Sequence, residues 1–206
     1  MLKAKIAVLV SGGGTNLQAL IDAQKSDIIK SGEIALVVSS NPTAYALTRA
    51  KNNNIPSAVV SKKACKNHAE FEQKILENLK AHSIDFIVLA GFMSILSESF
   101  IKEYENKIIN VHPSLIPSFC GEGYYGLRVH EAALSYGVKV TGATVHFVNE
   151  IPDGGEIILQ KAVKILKSDT PSSLQKRVME QAEWIILPRA TEMVAKEIVK
   201  HKKGNK

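Results

Sequence analysis

Residues 84–92 read IDFIVLAGF, apolar at every position except Asp85 and Gly91. A strand with one wet face alternates apolar and polar residues. A strand covered on both faces does not, so this run fits the middle of a parallel sheet. Before it, HAEFEQKILENLKAH (68–82) places Phe71, Ile75, Leu76 and Leu79 on one helical stripe. After it, SILSESFIKEYENK (94–107) reads as the next helix and IINVH (108–112) as the next strand.

The same alternation extends toward the N-terminus. KIAVLV (5–10), IALVVSS (34–40) and SAVVS (57–61) are β-branched runs, separated by the helical patterns LQALIDAQK (17–25) and AYALTRAKNNN (44–54). After residue 116 the style changes. PSFCGEGYYG (117–126) is a loop rich in glycine and aromatics, and LRVHEAALSYG (127–137) is a short helix. KVTGATVHFV (139–148) and EIILQKAVKI (156–165) alternate like antiparallel strands joined by NEIPDGG (149–155). The remainder is helical, with Thr170 as N-cap, Pro171 in the first turn and Pro188 placed to kink or split the helix. The expectation is an α/β fold. It is an open, mostly parallel twisted sheet with helices on both faces, an antiparallel addition and a long C-terminal helix. No repeat or linker interrupts the chain, so residues 1–206 read as one domain, 1–116 forming a nucleotide-binding-like half and 117–206 an appended half.

The totals set limits. At 206 residues and 45% hydrophobic composition there is ample material for a core. No apolar stretch approaches the length of a membrane span, and the apolar run after Lys3 and Lys5 is too short for a signal peptide. Cys65 and Cys120 form neither a disulfide framework nor a metal spacing, which points to a reducing, cytoplasmic location. The net charge of +6 is concentrated in KEIVKHKKGNK (196–206), which reads as a solvated helix end. No aromatics interleave with those lysines, so nucleic acid is not the expected partner, although a basic body suits a phosphorylated or polycarboxylate small molecule.

Two segments carry candidate chemistry. SGGGTN (11–16) follows the first strand and opens the first helix, where backbone amides converge on an anion. Leu17 stands where a dinucleotide fingerprint needs its last glycine, and no acidic residue closes the second strand. No Gly-Lys-Ser/Thr follows, so a P-loop is excluded. Three glycines with Thr15 and Asn16 exceed what a tight turn requires, and the phosphate of a small ligand is the expectation. In NVHPSLIP (110–117), Asn110 and His112 share a face at the carboxyl end of a parallel strand, where open α/β sheets bind ligands. Two adjacent donors suit a developing oxyanion. Asp153 lies in a Gly-rich turn; beside His112 it would orient the ring and raise its pKa.

SGGGTNLQALI, VLAGFMSILS, NVHPSLIP, VTGATVHFV, PDGGEIILQ and RVMEQAEWIILP together resemble the glycinamide ribonucleotide formyltransferase family, in order, from Lys5 to Pro188. The resemblance implies a Rossmann-like formyltransferase fold and a place in de novo purine biosynthesis. It implies transfer of a formyl group from 10-formyltetrahydrofolate, a co-substrate, to the amine of glycinamide ribonucleotide. It makes the second half the folate and active-site half. By resemblance Asn110, His112 and Asp153 are the catalytic trio, and Gly14, Thr15, Asn16 and Glu183 bind the ribonucleotide. Met93, Ser94, Ile95 and Leu96 line the folate pocket, Asn149, Glu150, Ile151 and Pro152 cover the pterin, and Asn110 and Asp153 also face the folate. Ser94 and His68 stand where the family often has basic residues for the folate's glutamate tail. The loop 117–127 is longer than the common version; Tyr124 and Tyr125 either stack on a ligand or pack the loop.

The other histidines, His82, His130, His146 and His201, lack metal-ligand spacing, and no metal is expected. The substrate amine is the nucleophile, so no activated Ser or Cys is required. A deformylase would carry a regulatory domain before the first strand, and a tRNA formyltransferase a further domain after the core; the chain as read favours the ribonucleotide enzyme, as monomer or homodimer.

Overall fold

The computed structural model describes residues 2–204. Its strands are β1 (Ala4–Val10), β2 (Gly32–Ser39), β3 (Ser57–Val59), β4 (Phe86–Leu89), β5 (Ile108–His112), β6 (Val140–Phe147) and β7 (Ile157–Lys164). They form one sheet in the order β3-β2-β1-β4-β5-β6-β7. The first five are parallel, and β6 and β7 add antiparallel. The helices are α1 (Thr15–Lys25), α2 (Tyr45–Asn52), α3 (His68–Ala81), α4 (Glu98–Glu103), α5 (Leu127–Tyr136), α6 (Pro171–Val178) and α7 (Trp184–Gly204).

The continuous apolar character of the central strands follows from burial on both faces. In β1, Ile6, Val8 and Val10 face a core shared with α1, α6 and α7, whereas Ala7 and Leu9 face a second core built on α3 and α4. In β4, Phe86 and Val88 join the first core and Ile87 and Leu89 the second, as the two-residue period of a strand demands. The α3 stripe of Phe71, Ile75, Leu76 and Leu79 is buried, as its spacing predicts.

Two helix expectations need correction. The segment 94–107 is helical only over Glu98–Glu103. Ser97 is its N-cap and sets a later start: its hydroxyl accepts from the Phe100 amide, while its own amide and hydroxyl bond the Glu72 carboxylate. Residues 94–96 therefore stay outside the helix and line a cavity. Pro188 does not split its helix at its own position: α7 runs through it. The irregularity lies upstream, in a π-helical turn at Met179–Glu183 that joins α6 to α7. The wider turn ends one residue before Trp184, whose carbonyl the Pro188 ring would otherwise crowd. At the start of α6, Thr170 and Ser173 form a reciprocal capping box with Pro171 in the first turn.

Among the described residues no helix is long and apolar enough to cross a membrane. Phe86 is fully buried. Phe86→Ala is expected to cost about 3–5 kcal/mol of stability in urea denaturation; a loss below about 1 kcal/mol would show that this core collapses around the void.

Candidate active site

The strand order reverses at β1: β2 and β3 lie on one side of it and β4 on the other. That crevice, beyond the carboxyl ends of the strands, is where open α/β sheets bind ligands. A hydrogen bond spans it, the Met93 amide after β4 donating to Ser11 Oγ after β1 at 2.9 Å. Asn110 and His112 close β5, the next strand along.

Register sets the cluster. β5 pairs with β6 so that Asn110 lies opposite His146 and His112 opposite Thr144. Asp153 enters from the β6–β7 turn with φ +55°. Gly155 lets that turn fold tightly, since a Cβ there would lie 1.8 Å from the Phe147 carbonyl oxygen. Asp153 Oδ2 stands 3.3 Å from His112 Nδ1 and accepts from the Gly121 amide at 2.9 Å. Oδ1 stands 3.5 Å from His146 Nε2. His146 Nδ1 lies 2.7 Å from the Phe147 carbonyl and Nε2 lies 3.3 Å from Asn110 Nδ2. Nδ1 can only donate to that carbonyl; Nε2 faces Asp153 as a donor or Asn110 as an acceptor, and among the described residues the second Asn110 hydrogen meets no acceptor.

The electrostatics correct one expectation. Burial pushes the His112 imidazole below its ordinary value; the Asp153 carboxylate and the Phe119 carbonyl pull upward without overcoming it, and His146 adds to the depression. The ring is thus neutral near pH 7, not held charged by Asp153. Burial raises the Asp153 carboxyl, but the His146 hydrogen bond, the His112 charge and the Gly121 amide together outweigh it and leave the group below the usual carboxylate range. His112 Nε2, the nitrogen away from Asp153, lies 2.9 Å from the Phe119 carbonyl, so both ring nitrogens face acceptors and the neutral ring's one proton serves either that carbonyl or Asp153.

A cavity of about 140 Å³ is lined by Ser94, Ile95, Leu96, Asn110, His146, Asn149, Glu150, Ile151, Pro152 and Asp153, with Leu89, Phe92, Ile101 and Val148 completing its apolar wall. His112 lies behind this wall, 4% exposed. Two expected folate contacts fall outside it. Met93 is 58% exposed and meets Ser11 through its amide. His68 lies in a neighbouring groove of about 670 Å³, with Lys62, Lys66 and the shared Ile95 and Leu96, where it pairs with Glu72 at 3.1 Å. The non-helical 94–96 segment lies between the two spaces, Ile95 and Leu96 lining both. Tyr124 packs toward Phe119, ring centroids 6.4 Å apart, and Tyr125 lies under the Arg128 guanidinium.

Gly14, Thr15, Asn16 and Glu183 form a second cluster. Gly14 adopts φ +70°, and a Cβ there would lie 2.7 Å from the Ala46 Cβ. Among the described residues the amides of Gly13, Gly14, Thr15 and Asn16 have no protein acceptor, as expected where a helix begins. Asn16 Nδ2 donates to Glu183 Oε2 at 2.7 Å, and Asn16 Oδ1 is buried without a partner. Burial, partly opposed by that hydrogen bond, pushes the Glu183 carboxyl up to about 7. The π turn ends on Glu183 and delivers it to this buried position. Among the described residues no group of three or more His, Cys, Asp or Glu side chains is arranged to hold a metal ion.

Sequence reasoning missed His146. Its signal was present: Thr144 and His146 share a strand face, as Asn110 and His112 do. The backbone partners Phe119 and Gly121 left no signal, because a carbonyl and an amide have no residue type.

Residues 4–191 match the sequence profile of the family described as formyl transferase. The chain is 46% identical over 193 residues to the trifunctional purine biosynthetic protein adenosine-3 of Homo sapiens, covering 94% of this chain and 18% of that protein. It is 45% identical over 184 residues to the phosphoribosylglycinamide formyltransferase of Haemophilus influenzae, covering 89% of this chain and 84% of that one. The crystal structure of glycinamide ribonucleotide transformylase 1 from Symbiobacterium toebii superposes with a TM-score of 0.88 at 37% identity, covering 95% of this chain and 89% of that one. The chain thus spans less than a fifth of the human trifunctional relative.

His130 on α5 is fully buried, both ring nitrogens without a partner among the described residues; burial, with His112 nearby, lowers it from its usual 6.5 to about 4. The folded chain therefore binds fewer protons here than the unfolded one, and stability falls as pH drops from 6.5 toward 4. In urea titrations at pH 7 and pH 5, His130→Leu is expected to lose less stability on acidification than the parent chain. An unchanged difference would place the acid sensitivity elsewhere.

Proposed function

The chain belongs to the formyl transferase family, and from that premise we propose that it transfers the formyl group of 10-formyltetrahydrofolate to the amine of glycinamide ribonucleotide. The observation that carries the reading is the convergence of Asn110, His146 and Asp153 on one cavity, with His112 directly behind.

The amine attacks the formyl carbon, a C–N bond forms, and the formyl oxygen takes up negative charge. The free Asn110 hydrogen faces that oxygen and donates to it at any pH. The attacking nitrogen then loses a proton and folate N10 gains one as the old C–N bond breaks. With its own proton on Nδ1, toward Asp153, neutral His112 accepts the first proton on Nε2 and returns it to N10, while Asp153 steadies the transient imidazolium. For this the Nε2 atom exchanges the Phe119 carbonyl for substrate. The pterin occupies the cavity between Ser94–Leu96 and Asn149–Pro152, and the glutamate tail leaves past Ile95 and Leu96 into the groove carrying Lys62, Lys66 and His68. The phosphate of the ribonucleotide rests on the amides of Gly13 through Asn16, with Glu183 and the unpartnered Asn16 oxygen facing its sugar side.

The deciding assay incubates the protein with 10-formyltetrahydrofolate, with and without glycinamide ribonucleotide, and follows tetrahydrofolate. Release that requires the ribonucleotide is expected; release without it would make the chain a hydrolase, and none at all would end the enzymatic reading. Asn110→Ala should lower kcat by ~10²–10³, with little change in KM for the ribonucleotide. Asn16→Ala should act mainly on that KM. Corrected for titration of the substrate amine, kcat/KM should rise on an acidic limb below pH 6.5, where His112 becomes neutral, and stay flat through neutrality. A profile falling from pH 6 to 8 would assign the working role to the charged ring.

A further inference from the structure

We propose that Arg49, on α2, is a positioning residue for the phosphate cradle: its guanidinium turns the Gly13 carbonyl away from the anion and leaves a cation behind the loop. The proposal rests on the reading of Gly13–Asn16 as the phosphate site.

The geometry begins with two carbonyls. Arg49 Nε donates to the Gly13 oxygen at 2.8 Å, and the Ala46 amide donates to the Gly12 oxygen at 3.2 Å. In a planar trans peptide the carbonyl and the following N–H point in opposite directions. Drawing the Gly12 and Gly13 carbonyls toward α2 therefore turns the Gly13 and Gly14 amides away from it, beside the free amides of Thr15 and Asn16. Without these tethers, either peptide can flip and present an oxygen to the incoming phosphate. Gly14 makes the approach possible, since the missing Cβ would meet Ala46 Cβ at 2.7 Å and Arg49 Cδ at 3.4 Å. Arg49 Nη1 also donates to Gln18 Oε1 on α1 at 3.0 Å, so one side chain fixes both the loop and the helix it opens.

The charge is uncompensated. Among the described residues no carboxylate pairs with Arg49; its guanidinium lies 5.1 Å from the Tyr45 ring centroid instead. A half-buried cation beside an anion site strengthens binding without touching the ligand. A merely structural arginine would serve as well with an acidic partner, and α2 offers none.

Arg49→Ala and Arg49→Lys test this in the full chain. In Arg49→Ala the KM for glycinamide ribonucleotide should rise roughly 10- to 100-fold, the scale of a charge-assisted hydrogen bond, with kcat and the KM for the formyl donor held. Arg49→Lys keeps the charge without the fork and should fall between. With glycinamide riboside, which lacks the phosphate, Arg49→Ala and the parent should be indistinguishable. An equal loss with both acceptors, or an unchanged KM, would overturn the proposal. Calorimetry with ribose 5-phosphate separates the two levels of the argument. Failure of the parent chain to bind it would sink the phosphate site itself. Equal binding by the parent and Arg49→Ala would sink only the role of Arg49.

Discussion

One carboxylate ties together four pieces of backbone that have no other reason to meet. Asp153 sits in the β6–β7 turn, faces His112 at the end of β5 and His146 on β6, and accepts the Gly121 amide from the 117–126 loop. An isolated buried carboxylate would be costly. Here Oδ2 accepts the Gly121 amide, each oxygen faces an imidazole nitrogen, and the group stays ionised below the usual range. The same contacts fix the ring orientations of two imidazoles and, through His146, one hydrogen of Asn110. The arrangement of the cavity is therefore a consequence of satisfying one charge.

That carboxylate works because the sheet changes direction of pairing at the right place. Parallel β1, β4 and β5 bring three loops to a common edge, and antiparallel β6 returns along β5 in register, placing His146 opposite Asn110. A slip of one residue would send His146 to the other face. Apolar residues on both faces hold the register, with separate cores above and below β1 and β4. The Ser11–Met93 hydrogen bond then couples the anion cradle to the cavity segment across the reversal of strand order.

Much of this was legible before any coordinates. IDFIVLAGF gave a central strand because burial on both faces abolishes alternation, and the α3 stripe gave a helix because four large apolar residues recur at its period. Asn110 and His112 were readable as a pair from strand geometry alone. Asp153 was readable as a turn residue, but its approach to His112 follows from a pairing some forty residues long that only the resemblance supplied. Ser97 starts a helix that composition would have begun three residues earlier, since its bond to Glu72 is tertiary. The His112 charge state was misjudged for the same kind of reason: an opposite charge is visible in the sequence, whereas desolvation is a property of what packs around the ring. Arg49 carries no signal in the sequence, since its contact with the Gly13 carbonyl is tertiary.

The π turn at Met179–Glu183 has a further bearing, on which changes of length the protein can tolerate. Such a turn absorbs one residue more than an α-turn while keeping its flanks roughly in phase, whereas removing a residue from the regular helix on either side would rotate α6 by about 100° relative to α7. Leu174 and Val178, fully buried on α6, would leave the core, or else Glu183 would swing away from Asn16. Insertions and deletions are thus barred from the middle of this helix. They are admissible in the glycine-rich 117–126 segment, whose residues between 121 and 126 carry no buried side chain.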